Sequence, residues 1–431
     1  MKTRFAALSL FLIALFIPAV IPALAQTGAG NGNAIALAQK SPAVQTAFNY
    51  LIGQAQELQD PNLRSQTLDA ISNRSTCVLH RANVSAAQQQ TILNQLLAAG
   101  LVDPNDNATF PGGLIAGVYP AIVNDGSACP QLPQTFFSAP GSVSGSGHHS
   151  YPGGLMIHEA NNETSDNYLA NQYRSMYGHA AGGYVALDPK VLDKAPKAKS
   201  TVFIDQDIII GAPIWHDWGK SIVFQWNADG SEFPELNFGG NGVTDQWGAA
   251  GNSKTGGHHI ISIAEAMARG FSPAFVITQA SAHSNPTSGN EYKVVNWIHA
   301  AAIMAQIDPV AAGYLTVDTT GRLRLPALRK LGDIDLADLG QTNVLAEYTL
   351  HNLSDADFTY SGPAVVEAQI ILAKLALRYG YDPTNTSVYN NGYRNPVLSF
   401  TTAEHLLMIY SDQGLAGVQA ELDKLKKGHI I

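Results

Sequence analysis

The sequence predicts a mainly α-helical protein with small β-hairpin insertions and flanking helical segments. Residues 34–60 and 85–99 are rich in Ala, Gln and Leu and show the apolar spacing of helices. Ser85 stands three residues before Gln88, which is the spacing of a capping box, and Gly100 provides a stop signal. Strand-like runs, in contrast, are short and surround turn sequences.

Helical patterns continue downstream of the first two. They cover residues 154–176, a segment ending near His216 and Asp217, and residues 258–269, 290–306, 363–379 and 402–426. Hairpin signals surround the "ADGS" turn within residues 221–241 and occur in "YLTVDTTGRLRLP". Thr401 and Glu404 have the spacing of a capping box for the last helix.

The first 25 residues are typical of a secretory signal peptide. Lys2 and Arg4 precede an apolar run, and the small residues of "PALA" fit cleavage next to Ala25. Two prolines interrupt the run, which argues against the alternative, a retained membrane anchor. No later stretch reaches the 18 apolar residues of a spanning helix. The sequence predicts an exported protein, periplasmic or extracellular, without membrane contact after cleavage.

Acidic residues outnumber basic ones. After cleavage, 23 Lys and Arg stand against 34 Asp and Glu, a net charge of −11 with histidines neutral. Such a surface repels polyanions, so we expect no extended nucleic-acid surface, whereas one small phosphorylated substrate stays compatible.

A loop-like composition on both sides of residue 135 indicates a boundary. We therefore predict an N-terminal helical segment at 26–135, a core at 136–310 and a C-terminal helical segment at 311–431.

The chain contains two cysteines, Cys77 and Cys129. In an exported protein both would meet an oxidising environment, which favours one disulfide across 52 residues. The alternative is two free buried thiols.

Histidines and one His-Asp pair form the most informative pattern. Imidazole and carboxylate are the usual donors for borderline and hard divalent ions. A lone helical histidine is more often structural, but two adjacent donors at a helix end can both turn inward, as predicted for His216 and Asp217. The candidate ligands, in chain order, are His158, His216, Asp217, His258, His259, His283 and His299.

The motifs "HHSYPGGLMIH" at 148–158 and "HDWGK" at 216–220 resemble the HD-domain metal-dependent phosphohydrolase superfamily. They are most similar to its exoribonuclease-like branch, which opens with HHxYxGGLxxH. The resemblance covers roughly residues 145–305 and implies an HD-domain helical core. It implies that His158, His216 and Asp217 hold a first metal ion.

A second ion, in the same resemblance, is held by two further histidines and bridged by a carboxylate. His258 and His283 match these positions, with His259 as a competitor of His258. The implied cofactor is one or two divalent ions, among which the sequence does not distinguish Mn, Fe, Zn, Ni or Mg.

The chain departs from the family at the distal aspartate. The family's helix has Glu, then His five residues on, then Asp eight residues on. Starting from Glu291 puts Asn296 and His299 at these positions, so we assign His299 as the fourth ligand. In the alternative register His299 is the family's histidine, and Ala302 leaves the ligand position empty.

The resemblance implies phosphoester hydrolysis by a metal-bound water. Asp217 would ligate and orient this water, and Lys220 would contact the phosphate. His148 and His149 are further candidates for phosphate contacts, although they could equally fix the loop structurally. We expect an exported hydrolase of a small phosphoester, for example a nucleotide.

Two alternatives use the same residues. One is a degenerate HD fold that binds a ligand or partner without catalysis, for which the missing distal aspartate is the main support. The other is a di-iron oxygenase. A serine hydrolase is disfavoured because the sequence has no G-x-S-x-G motif.

Overall fold

The computed structural model describes residues 27–143, 147–178, 202–240, 253–286, 289–328 and 345–431. The predicted signal peptide lies outside the described residues. The mainly α-helical prediction is confirmed, because helices dominate and the sheets of the described part are two small antiparallel pairs.

Helices follow one another along the described part of the chain, with short strands between some of them. The helices are α1 Asn31–Lys40, α2 Pro42–Glu57, α3 Pro61–Ser72, α4 Ala86–Ala98, α5 Gly113–Val118, α6 Gly154–Tyr177, α7 Gln206–His216, α8 Lys220–Val223, α9 Gly257–Ala268, α10 Pro273–Ala280, α11 Glu291–Ala305, α12 Ala346–Ser354, α13 Phe358–Leu375, α14 Thr386–Tyr389, α15 Asn395–Thr401 and α16 Ala403–Lys427. The strands are β1 Asn237–Phe238, β2 Thr255–Gly256, β3 Thr316–Val317 and β4 Leu323–Arg324.

Most predicted helix boundaries agree with the structure to within a few residues. Ser85 and Gln88 form the predicted capping box of α4. The capping prediction for the last helix is wrong by one residue: Thr402 is the N-cap, and its side chain accepts a hydrogen bond from the backbone N–H of His405. The Thr401 hydroxyl instead donates to the carbonyl of Val397, in the preceding helix.

Both predicted hairpins are present as short antiparallel pairings. Trp226 and Glu232 form a bridge around the "ADGS" turn. In the second hairpin, β3 pairs with β4. Another pairing, between β1 and β2, places Thr255 next to the start of α9.

The largest hydrophobic core contains residues from Ala38 to Tyr348. Its centre is built from α7, α9 and α11, whose Ile214, Ile260 and Ile298 have no solvent exposure. A second core joins α13, α15 and α16 around the buried Tyr151. The domain boundaries at 135 and 310 stay predictions, although apolar packing of the large core crosses both positions.

The predicted disulfide between Cys77 and Cys129 is confirmed. It closes a 52-residue loop next to the C-terminal end of α9, where Arg269 donates a hydrogen bond to the carbonyl of Cys77. Within the described ranges, we find no helix with the length and apolar character needed to cross a membrane.

Candidate metal centre

Four side chains from three separate parts of the chain converge at the centre of the fold. His158 comes from the first turns of α6, His216 and Asp217 end α7, and Asp355 follows α12. All four are buried, with at most 8% of any side chain exposed. α6 packs against both α7 and α12, and this packing brings the donors together.

The spacing of the donor atoms matches one shared ion. His158 Nε2 lies 3.2 Å from Asp217 Oδ2 and 3.1 Å from Asp355 Oδ1. His216 Nε2 lies 3.3 Å from each of the same two oxygens. Ligands that surround an ion at 2.0–2.2 Å, at octahedral or tetrahedral angles, are about 2.8–3.6 Å apart. All four imidazole–carboxylate distances lie in this range, and His158, His216 and Asp355 form one group of ligand atoms that could hold an ion.

The second oxygen of Asp217 points at two more histidines. His258 Nε2 lies 2.9 Å from Asp217 Oδ1, and His283 Nε2 lies 3.9 Å from it. The Asp217 carboxylate thus faces His158 and His216 on one side and His258 and His283 on the other. This is the arrangement of a carboxylate that can bridge two ions.

His258, and not its competitor His259, is the residue that reaches Asp217. Neighbouring residues on a helix project about 100° apart, so only one of the pair can face the centre. His259 instead directs Nε2 at the carbonyl of Ala280, 3.1 Å away, and stacks on His283 with ring centroids 4.0 Å apart.

Each of the four histidines is held through its other ring nitrogen. The Nδ1 partners are Asp357 for His158, the Pro213 carbonyl for His216, Glu235 for His258 and Thr255 Oγ1 for His283. An acceptor at Nδ1 fixes the proton there and leaves the Nε2 lone pair directed inward, as is usual for metal-bound histidines. All four rings therefore present Nε2 to the centre.

The end of helix α7 provides the Nδ1 partner of His216. The last turn of a helix has carbonyls without intrahelical partners, and the Pro213 carbonyl is used by the His216 ring, 2.8 Å away. Glu159 Oε2 lies 3.2 Å from the same Nδ1 and is also fully buried.

The structure does not bring His299 to this centre. His299 lies on α11, outside the groups of potential ligands in the described residues. Burial lowers its pKa, and none of the carboxylates of the centre contributes to that shift. Asp355, from the predicted C-terminal segment, lies beside His158 and His216, where we had expected His299. Both registers, which start from Glu291 or His299, use α11, whose Glu291 and Asn296 have other partners: Glu291 binds Arg324, and Asn296 donates to Ser253 Oγ.

A sequence signal for Asp355 existed. In the resembled family, Asp follows Glu by eight residues, and Glu347 and Asp355 have this spacing. The family's histidine lies five residues after the Glu, and His351 is one residue away from that position. Residues 306–345 separate α12 from the other motifs, which lie within residues 145–305. The Glu347–Asp355 spacing is therefore hard to connect with these motifs in the sequence. Asn162, one turn after His158, donates to Asp355 Oδ1 at 3.2 Å and holds the carboxylate in place.

The Gly-Gly pair of the motif at 148–158 allows the start of α6 to lie close to the backbone of His149. Gly153, the N-cap of α6, has φ 87°, in the left-handed region. A Cβ at Gly154 would lie 1.8 Å from the carbonyl oxygen of His149. A side chain at Gly154 would push the His148–His149 segment away from α6 and His158.

His149 has a structural role in this segment. It is buried, with φ 47°, and its Nε2 contacts Asp357 Oδ2 at 2.8 Å. Its Nδ1 lies 3.0 Å from the Tyr151 hydroxyl. The side chain is therefore engaged within the protein, which supports the structural alternative for this residue.

Lys220 and His148 lie beside the centre as a pair. The Lys220 ammonium contacts Asp217 and donates to His148 Nε2 at 3.1 Å. Burial and the neighbouring Lys220 keep the pKa of His148 well below its ordinary value. His148 is therefore neutral and accepts from Lys220.

The charges of the centre favour a cation. Burial would raise the pKa of Asp217, but His216, Lys220 and His258 lower it well below its ordinary value. Burial likewise opposes protonation of His158, but Asp357, Asp217 and Asp355 raise its pKa well above the usual range. The same negative field would attract a metal ion, whose binding displaces these protons.

Several inward-facing atoms lack hydrogen-bond partners of good geometry. They are His158 Nε2, Asp217 Oδ1 and His258 Nε2, all shielded from solvent, whereas Asp217 Oδ2 has the Lys220 ammonium beside it. Buried polar atoms are costly without a partner. The donor set, its spacing and these unsatisfied atoms all fit a divalent metal held by imidazole and carboxylate.

No family model, curated protein or solved structure matches this chain.

Proposed function

We propose that this protein is a metal-dependent hydrolase of small phosphoesters with an HD-type site. The observation that carries the proposal is the convergence of His158, His216, Asp217 and Asp355 with the Lys220 ammonium beside them. Asp355 removes the main support for a degenerate, non-catalytic fold, which was the apparent loss of the distal carboxylate.

The metal would be held by His158, His216, Asp217 and Asp355, and a second ion by His258 and His283 with Asp217 shared. A bound divalent ion lowers the pKa of a coordinated water to about 7 and acts as a Lewis acid on phosphoryl oxygen. Asp217, in contact with Lys220 and four histidines, orients the reacting groups.

Lys220 supports phosphoester chemistry in particular. Its ammonium is held between Asp217 and His148, at the edge of the donor set. A positive charge in this position stabilises the negative charge that develops on the phosphoryl oxygens. His148, as a neutral acceptor, keeps the ammonium directed at the centre.

The test starts from the full chain purified without added metal. Elemental analysis should find a stoichiometric divalent metal, and Mn²⁺-loaded protein should hydrolyse bis(p-nitrophenyl) phosphate or p-nitrophenyl phosphate. The Asp355→Ala variant should lose both metal and activity, since one of four ligands is gone.

His299→Ala is the matched control, because it removes a histidine that we place outside the centre. It should keep metal and activity. Retention of both by Asp355→Ala would contradict the proposal. Activity that requires oxygen would instead favour the di-iron oxygenase.

A further inference from the structure

A cleft with the volume of a small-molecule site lies where α1, the "ADGS" turn and the C-terminal residues meet. Its volume is about 400 Å³, and small-molecule sites occupy about 300–1,000 Å³. One wall is formed by α1, others by the turn at Gly230 and by residues within 391–400, and His429 and Ile430 complete it. None of the candidate metal ligands lines this cleft, so it is separate from the metal centre.

Hydrogen bonds fix the walls of the cleft against one another. The buried Asn395 side chain donates to the carbonyl of Gly230 at 2.8 Å, which joins α15 to the turn. The hydroxyl of Ser41, directly after α1, donates to the carbonyl of Ser399 at 2.6 Å, which joins α1 to α15. The cleft is therefore preformed, and a ligand that enters it has little protein to order.

The lining combines apolar surface with groups that recognise a negative charge. Lys40 and His429 are exposed and provide an ammonium and an imidazole N–H. Lys40 forms no ion pair with any of the described residues. The lining side chains, all of them described, include no carboxylate, although the whole chain has a net charge of −9. The apolar part of the lining includes Leu37, Pro396, Phe400 and Ile430.

From this lining we infer that the cleft binds a small organic anion with an apolar body, of the class of medium-chain carboxylates. The carboxylate accepts hydrogen bonds from the Lys40 ammonium and the Asn33 amide, and the apolar body packs on Leu37 and Phe400. A neutral head group forms no ion pair with Lys40, and a cationic one is repelled by it. This site does not depend on the proposed hydrolysis.

Isothermal titration of the full chain, without added metal, tests the inference with octanoate, 1-octanol and octylammonium. The three ligands share the alkyl chain and differ in the charge of the head group. Ion pairs with exposed lysines change affinity by about 2- to 5-fold. Octanoate should bind once per chain, more tightly than 1-octanol by about this factor, and octylammonium should bind most weakly.

Lys40→Ala should weaken octanoate binding by the same factor and leave 1-octanol binding unchanged. Lys374→Ala is the matched control, because it removes an exposed lysine that does not line the cleft. This control should bind all three ligands like the unaltered protein. Equal or tighter binding of 1-octanol than of octanoate, or equal losses in the two lysine variants, would overturn the inference.

Filling the cleft locates the binding. Ala36 is an exposed residue of α1 that lines the cleft, so Ala36→Trp should abolish octanoate binding by occupying the space. Gln39→Trp places the same side chain on the same helix outside the lining and should retain binding. Both changes lie on the helix surface, and thermal unfolding checks that both variants fold. Absent octanoate binding in the unaltered protein, or full affinity in Ala36→Trp, would refute a site in this cleft.

Discussion

We predict that the stability of the protein depends on pH through Glu265, near the C-terminal end of α9. Its fully buried carboxylate accepts hydrogen bonds from the backbone N–H groups of Leu79 and His80, from His80 Nδ1 and from Arg269 Nε, at 2.8–3.1 Å. These contacts tie the first residues of the disulfide loop to the helix that carries His258.

The pKa of Glu265 gives the size of its contribution to stability. Burial would raise it, but Arg269 and His80 lower it from 4.5 to about 2. Each pKa unit corresponds to about 1.4 kcal/mol, so the ionised carboxylate contributes about 3 kcal/mol to stability at pH 7. The folded pKa lies below the unfolded one. The contribution is therefore complete well above pH 4.5 and is lost as the pH falls toward 2.

The difference between the folded and unfolded pKa values also gives the stability that is lost over a pH range that can be measured. With pKa values of 4.5 unfolded and about 2 folded, about 2 kcal/mol of the contribution disappears between pH 7 and pH 3. The Glu265→Gln variant cannot ionise at this position. At pH 7 its free energy of unfolding should be about 3 kcal/mol lower than that of the unaltered protein. At pH 3 this difference should be smaller by about 2 kcal/mol.

Urea unfolding at 25 °C at both pH values measures the difference. Asp103→Asn is the control, because Asp103 is a partly exposed carboxylate paired with Lys254, and exposed ion pairs contribute little. A Glu265→Gln deficit that is the same at pH 3 as at pH 7 would refute the reasoning, since it would show that the charge of Glu265 does not stabilise the fold.

Two further predictions concern the metal centre and the disulfide. Asp357→Ala should weaken metal binding about 10- to 100-fold in a competitive chelator titration, because His158 loses the acceptor at Nδ1. The exposed Asp412→Ala should leave it unchanged, and an unaltered affinity in Asp357→Ala would show that the contact is dispensable. Replacing Cys77 and Cys129 by Ala should lower the free energy of unfolding by about 2–4 kcal/mol, through the larger entropy of the unfolded chain. Urea unfolding with and without reductant measures this, and equal stability would contradict it.

Local sequence determined much of the helical framework. The capping box at Ser85, the Gly-Gly start of α6 and the His-Asp pair at the end of α7 depend on neighbours a few residues away. Such features follow from helix geometry and from hydrogen bonds at helix ends. The same locality explains the error at Thr401, because adjacent threonines offer two possible caps and only the path of the chain selects Thr402.

The metal centre required tertiary structure. His158, His216 and Asp217 could be recognised in short motifs, but Asp355 follows a helix far downstream that reaches them only by packing against α6 and α7. The choice of His258 over His259 depended on how α9 is rotated against the core. Asp357 and Glu235, which hold the histidine rings, have no spacing relation to them. Burial brings these distant groups together, and no local pattern encodes which helix faces will meet.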